Sequence, residues 1–310
     1  MLQYDVIITG GGMVGASLAC ALSGKGLRIA LVEAVELQTR AAPGYDDRAI
    51  ALAFGTRRIF EGLQLWDALA PEAAPIHHIH VSDRGRFGMV HMDRAEEGLP
   101  ALGYVVPARV IGDVLSAAVS RIDELDSFCP ATVTRVSQTD AAISVDIDHN
   151  GEAISLSAAL LVAADGADSP LREQFGIEHI ERDYRQTAIV TNITPQLAHN
   201  NTAYERFTDS GPMALLPMTG QRCGVVWTVD SSRVEGIMAL DDAGFLAALQ
   251  QRFGYRLGRL DRVGRRQAWP LRLVQARESV PERHALIGNA LHTHHPVAGH
   301  GVNQVARDVA

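Results

Sequence analysis

"YDVIITGGGMVGASLACALSGKGLRIALVE", residues 4–33, reads in order as strand, glycine turn, helix and strand. Val6 to Thr9 is a short β-rich apolar run, the composition of a strand buried on both faces of a parallel sheet. Gly10, Gly12 and Gly15 follow it directly as G-x-G-x-x-G and open the helix. Such glycines serve a tight turn, the close approach of backbone to a pyrophosphate, and close packing of helix on strand. The helix N-terminus adds free N–H groups and a partial positive charge for phosphate. Ala19, small again, keeps the helix near the sheet, and Gly26 is expected to close it as a left-handed C-cap. Glu33 ends the second strand, where an acid accepts hydrogen bonds from ribose hydroxyls. A carboxylate there repels a 2′-phosphate and favours an unphosphorylated adenosine ribose, a condition that FAD and NAD both meet.

Composition narrows the remaining classes. With 310 residues, 47% of them apolar and 21% charged, the chain belongs with soluble globular proteins, and one large domain with a smaller companion is expected. A net charge of -8 excludes a general nucleic-acid binder, which needs basic excess, and Arg265-Arg266 reads as solvated surface. Cys20, Cys129 and Cys223 are isolated, giving neither a disulfide framework nor a zinc pattern, which suits a reducing cytoplasm. No apolar run approaches the roughly 20 residues of a transmembrane helix. The chain enters a strand almost at once, without a signal-peptide pattern, so a cytoplasmic location is expected. "HHIH", residues 77–80, puts His78 and His80 on one face of a strand but offers no nearby Cys or carboxylate ligands, so no metal is expected. No G-x-S-x-G elbow supports acyl transfer.

Two later stretches repeat the strand-then-turn character: "AALLVAADGADSPLRE", residues 158–173, and "HALIGNALHTHHPVAGHGVN", residues 284–303. Each alone reads as a strand-to-helix turn with a helix N-cap. Together with the glycine motif they resemble the FAD-dependent aromatic hydroxylases of the p-hydroxybenzoate hydroxylase type. The closest resemblance is to the 2-octaprenyl-6-methoxyphenol hydroxylases of ubiquinone biosynthesis. "DDRAIALA" (46–53), "HVSDRGRFG" (80–88), "YERFTDSGPMALLPM" (204–218) and "RCGVVW" (222–227) carry it through the rest of the chain.

The resemblance implies that Gly10, Gly12, Gly15 and Glu33 hold the ADP half of FAD, with Arg48 near the ribityl chain and flavin and Arg109 toward the pyrophosphate. Asp165 and Gly166 fall in a motif shared between FAD and NAD(P)H binding. Gly288 and Asn289 stand where most of the superfamily has Gly-Asp, and Asn still donates and accepts hydrogen bonds. Pro296, Gly299 and Gly301 would let the backbone approach the isoalloxazine. Candidate catalytic residues are His295 and His300; His300 stands where relatives usually have Gln, and Val302 where the nearest branch has Phe. The implied reaction is NAD(P)H reduction of FAD, formation of a C4a-hydroperoxyflavin with O₂, and oxygen transfer to a polyprenylated phenol. Such a substrate implies peripheral membrane contact and a place among other ubiquinone-biosynthesis proteins.

The expected architecture is α/β: a doubly wound Rossmann-like FAD domain (residues 1–72, 100–185 and 270–310) with an antiparallel-sheet substrate domain inserted (residues 73–99 and 186–269). Residues 79–92 read as a hairpin and residues 241–254 as an amphipathic helix after two acids. The resemblance also implies that relatives run on past Ala310 into a further helical region. Two other readings stay open: a same-fold flavoprotein hydroxylase for another small aromatic, and a truncated, catalytically silent binding or assembly protein.

Overall fold

Val6–Thr9 lies at the centre of a five-stranded parallel sheet. The order across the sheet is His284–Leu286, Leu160–Ala163, Val6–Thr9, Ile29–Val32 and Leu125–Phe128. The structure is a computed structural model that describes residues 1–35, 47–279, 282–295 and 299–309, without the side chains of His300 and Val305. Alternation sends Ile7 and Ile8 to opposite faces of the sheet, and both are fully buried. Ile8 packs with Ala19, Ile29 and Leu31 beneath the helix Met13–Leu22. Ile7 packs with Ile143, Val145 and Leu156 of an antiparallel meander, Ala131–Gln138, Ile143–His149 and Glu152–Ala158. A layer on each face explains why the central strands are continuously apolar.

The first helix ends earlier than the sequence suggests. It stops at Leu22, and the turn that follows uses two left-handed glycines, Gly24 (φ +69°) and Gly26 (φ +73°). Leu22 is the last helix residue packed against the sheet, so there is no apolar reason to continue.

The second large sheet has the path His292–Thr293, Gln267–Ala276, His179–Pro195, Cys223–Asp230, Gly211–Pro217, Thr202–Thr208, His78–Asp83 and Met89–Asp93, with Leu260–Val263 paired to His179–Pro195. His78–Asp83 and Met89–Asp93 form the expected hairpin. Every pairing is antiparallel except that of Thr202–Thr208 with His78–Asp83, which is parallel. Those two strands come from distant parts of the chain, so no short turn forces them antiparallel. The helix Asp242–Phe253, capped by Asp241 accepting from the Gly244 N–H at 2.7 Å, covers one face of this sheet. Its Phe245, Leu249 and Phe253 pack on Ile189, Leu215, Val225 and Trp227. The other face meets a small sheet of Ala49–Ala53, Gly103–Pro107 and Ala74–Ile76 through Ala203, Met218, Ile76 and Val105. Gly224 permits that approach, because a Cβ on it would lie 2.3 Å from the Ala49 Cβ.

Candidate active site

The three glycines of the first turn are glycine for different reasons. Gly10 is left-handed (φ +92°), and a Cβ on it would lie 2.3 Å from the Ala164 carbonyl oxygen. A Cβ on Gly15 would lie 1.9 Å from the Gly10 oxygen. Gly12 is different, because no described residue stands within 4 Å of the place its Cβ would take. Two glycines therefore serve packing, and the third leaves open space at a helix N-terminus. Glu33 closes this turn, one carboxylate oxygen accepting from the Gly11 N–H and the other from the Val35 N–H at 2.7 Å. Each oxygen keeps a lone pair for a ligand hydroxyl.

The other two loops follow neighbouring parallel strands. Asp165 Oδ2 accepts from the Leu171 N–H at 3.3 Å, while its buried Oδ1 has no hydrogen-bond partner among the described residues. Burial raises its carboxyl from the ordinary value, opposed by hydrogen bonds from Ser169 and the Leu171 N–H and by the Arg172 charge. Gly166 is left-handed (φ +94°), and a Cβ on it would meet no described residue within 4 Å. Gly288 has to be glycine because Val14, in the first turn of the first helix, would lie 2.9 Å from its Cβ. Asn289 beside it is exposed. Arg172 ties the two loops together: only 3% exposed, it donates to the Ala167 and Ala290 carbonyls at 2.9 Å each.

The closing loop is held from the opposite side. Asn303, in the helix His300–Val309, accepts from the Ala53 N–H and the Thr56 hydroxyl at 2.7 Å each. It donates to the Ala51 carbonyl at 3.0 Å and the Gly299 carbonyl at 2.7 Å. All four bonds that its amide seeks are accounted for. A Cβ on Gly299 (φ +63°) would lie 3.3 Å from the Ala51 Cβ, whereas one on Gly301 would meet no described residue within 4 Å. Pro296 and the His300 side chain lie outside the described residues.

Arg48 and Arg109 have different environments. The Arg48 side chain is accessible to solvent yet surrounded by enough protein to push its pKa down, and it has no hydrogen-bond or ion-pair partner among the described residues. Both properties suit a cation standing in a cleft. Arg109, expected toward the pyrophosphate, is paired with Asp47 at 3.3 Å and Asp113 at 3.3 Å, so its charge is compensated within the protein. His295 Nε2 donates to Gln186 Oε1 at 3.1 Å, with its ring edge-on to Tyr184. Burial holds its pKa below the usual histidine value.

Sequence reading gave no role to Arg172 or Asn303. Asn303 lies inside the quoted closing loop, and Asn in the first turn of a helix was a usable signal, since Asn favours local hydrogen bonding over helix. Among the described residues there is no group of three or more His, Cys, Asp or Glu placed to hold a metal, and no helix long and apolar enough to cross a membrane.

The open Gly12, the unpartnered Asp165 oxygen and the uncompensated Arg48 fit a negatively charged dinucleotide laid across the ends of parallel strands. This is a flavoprotein of the FAD-dependent monooxygenase class. The family described as "FAD binding domain" matches residues 3–310, and the chain belongs to it. It is 38% identical over 306 residues to ubiquinone hydroxylase UbiL of Rhodospirillum rubrum, spanning 99% of this chain and 70% of that protein. It is 30% identical over 308 residues to the 3-demethoxyubiquinol 3-hydroxylase of Escherichia coli, spanning 98% and 77%. PqsL of P. aeruginosa, solved in complex with 2-aminobenzoylacetate, shares the fold with a TM-score of 0.82 at 21% identity, covering 99% of this chain and 84% of that one. FAD is the cofactor of the family, and NAD(P)H is its typical co-substrate.

Proposed function

We propose that this chain hydroxylates the ring of a polyprenylated (methoxy)phenol in ubiquinone biosynthesis, using FAD, NAD(P)H and O₂. The observation that carries the reading is the 38% identity to a ubiquinone hydroxylase sustained along 99% of the chain. Reduced FAD, when bound, supplies the activation of O₂ for transfer to the ring. The protein's share is to hold the cofactor, orient the phenol and exclude water.

In this reading the turn at Gly10, Gly12 and Gly15 receives the pyrophosphate, and Glu33, already oriented by two backbone N–H groups, accepts from the ribose. Asp165 and Asn289 meet the hydroxyls of the sugar-like chain. Arg48 and the helix N-terminus at Gly301 face the negative charge of the reduced ring. Arg109 and Asp47 act as a strap. Asn192 of the large sheet donates to the Asp47 carbonyl at 2.7 Å, which supports Arg48 at a junction between two domains. We place the FAD domain at residues 1–72, 100–185 and 270–310 and the substrate domain at residues 73–99 and 186–269. The register shift between Asp183 and Gln186 supports the break within the long strand. A prenyl tail brings peripheral contact with a membrane.

The test is the visible spectrum of the purified protein, followed by NAD(P)H oxidation with and without prenylated and simple phenols. Flavin absorbance with oxidation stimulated most by the prenylated phenol is expected. A protein that is colourless and fails to take up added FAD defeats the proposal.

A further inference from the structure

Thr202–Thr208 runs between Gly211–Pro217 and His78–Asp83, and its register puts Glu205 opposite Ala214 on one side and Val81 on the other. The same row continues through Val226 to Val190. Glu205 is therefore the one charged member of a row of small and β-branched apolar residues. Alternation settles which way it points. Tyr204 lies edge-on to Phe253 at 5.4 Å, within the core under the helix Asp242–Phe253. Ala203, on the face opposite Tyr204, is 6% exposed and packs with Val105 and Ile76 of the small sheet. Glu205 shares that face and lies just beyond the region the small sheet seals. Gln186, which holds His295, and Asn192, which holds the segment before Arg48, project from the same face.

No described residue offers Glu205 a hydrogen bond or ion pair, and burial alone pushes its carboxyl up to about 7. A charge without a partner in an apolar wall is unfavourable for folding, so its presence there calls for a ligand. The charged or titratable groups facing this region are few. Among the described residues of the neighbouring strands, Gly211–Pro217 contributes none, His78–Asp83 contributes Asp83 two residues beyond Val81, and Cys223–Asp230 contributes Asp230 at its far end, opposite Gln186.

Resting on the hydroxylase reading, we propose that Glu205 is a catalytic residue that recognises the substrate's ring hydroxyl: its carboxylate accepts that hydrogen bond and then takes the proton. The phenol O–H bond breaks, an O–H bond to the carboxylate forms, and the electron pair stays on the ring oxygen. Nothing is oxidised or reduced in this step. Charge passed from that oxygen into the ring raises electron density at the ortho and para carbons, where the transferred oxygen attaches. The substrate class is a neutral phenol, since a ring carboxylate or a ring ether would meet repulsion or an unmade hydrogen bond.

The experiment compares wild-type protein, E205Q and E205D, all loaded with FAD, using a short-chain prenylated 2-methoxyphenol and its O-methyl ether. Binding is read by calorimetry and flavin absorbance. The wild type is expected to prefer the phenol tenfold or more, E205Q to lose that preference while keeping FAD, and E205D to keep part of it. The kcat/KM of the wild type rises with pH through about 7 as Glu205 ionises, and E205Q loses that rise. An E205Q variant with the same preference and the same pH rise overturns the assignment while the hydroxylase reading stands. A wild type that shows no response to the phenol overturns both.

Discussion

Alanine at Gly12 and alanine at Gly15 separate a glycine kept for a ligand from one kept for the fold. A Cβ on Gly15 would sit 1.9 Å from the Gly10 oxygen, where contacts under 3.0 Å are essentially never seen, so that oxygen must retreat by about 3.0 − 1.9 = 1.1 Å. It has little room, because the Gly10 N–H is bonded to the Val32 carbonyl at 2.8 Å and Gly10 already packs on Ala164. Overpacking of this size costs about 3 kcal/mol or more, which lowers the Tm of a domain this large by about 5–10 °C. Gly12 has extended backbone angles (φ −66°, ψ −169°) open to any residue, and its added Cβ meets no described residue. The weaker N-cap and the stiffer unfolded chain offset each other to within about 1 kcal/mol. FAD affinity is the property that changes, falling at least about tenfold, or about 1.4 kcal/mol, because the methyl occupies the approach of the pyrophosphate. Thermal denaturation of both apo variants and flavin titration of Gly12→Ala check this. Unchanged FAD affinity in Gly12→Ala would refute the reasoning, and so would a loss of apo stability equal to that of Gly15→Ala.

Three other perturbations have expected outcomes. Arg172→Ala removes two charge-assisted bonds and leaves the Ala167 and Ala290 carbonyls unsatisfied, a loss of about 3–5 kcal/mol by chemical denaturation, with Arg172→Lys recovering less than half because one ammonium cannot replace the planar fork. Asn303→Ala frees the closing loop from the strand Ala49–Ala53, a local loss of about 2–4 kcal/mol seen as faster hydrogen exchange over residues 299–309 and weaker FAD binding. His199 is buried, and its ring bonds the Met218 carbonyl at 3.0 Å and accepts from the Asn201 N–H at 3.1 Å, so burial keeps its folded pKa below the usual 6.5. The unfolded chain then binds the extra proton first, and stability falls as pH drops below about 6.5; His199→Gln should flatten that acid limb of the Tm profile.

Much of the FAD half was legible because its information is local. The strand, the glycine turn, the helix and Glu33 lie within thirty consecutive residues, and their periodicity is that of the structure they form. The end of the helix was read late because Gly24 and Gly26 are equally able to turn the chain, and packing of Leu22 chose between them. The second sheet was legible as strands, but the parallel pairing of Thr202–Thr208 with His78–Asp83 was not, since β pattern carries no partner or direction. Arg109 was placed toward the pyrophosphate by the resemblance, and its pairing with Asp47, 62 residues away, needed the fold.

By itself, the sequence determined a dinucleotide-binding turn and the doubly wound core, because glycine spacing and apolar runs act over a few residues, while FAD rather than NAD followed from the resemblance carried along the whole chain. Only the tertiary structure decided which of those glycines are open, that Asn303 reaches back 252 residues to the Ala51 carbonyl, and that Arg172 joins two loops through one buried guanidinium. It also decided that Glu205 stands in an apolar row of the large sheet with no partner among the described residues. Whether a charge is compensated depends on what the rest of the chain brings within about 4 Å of it, and no local pattern of residues encodes that distance.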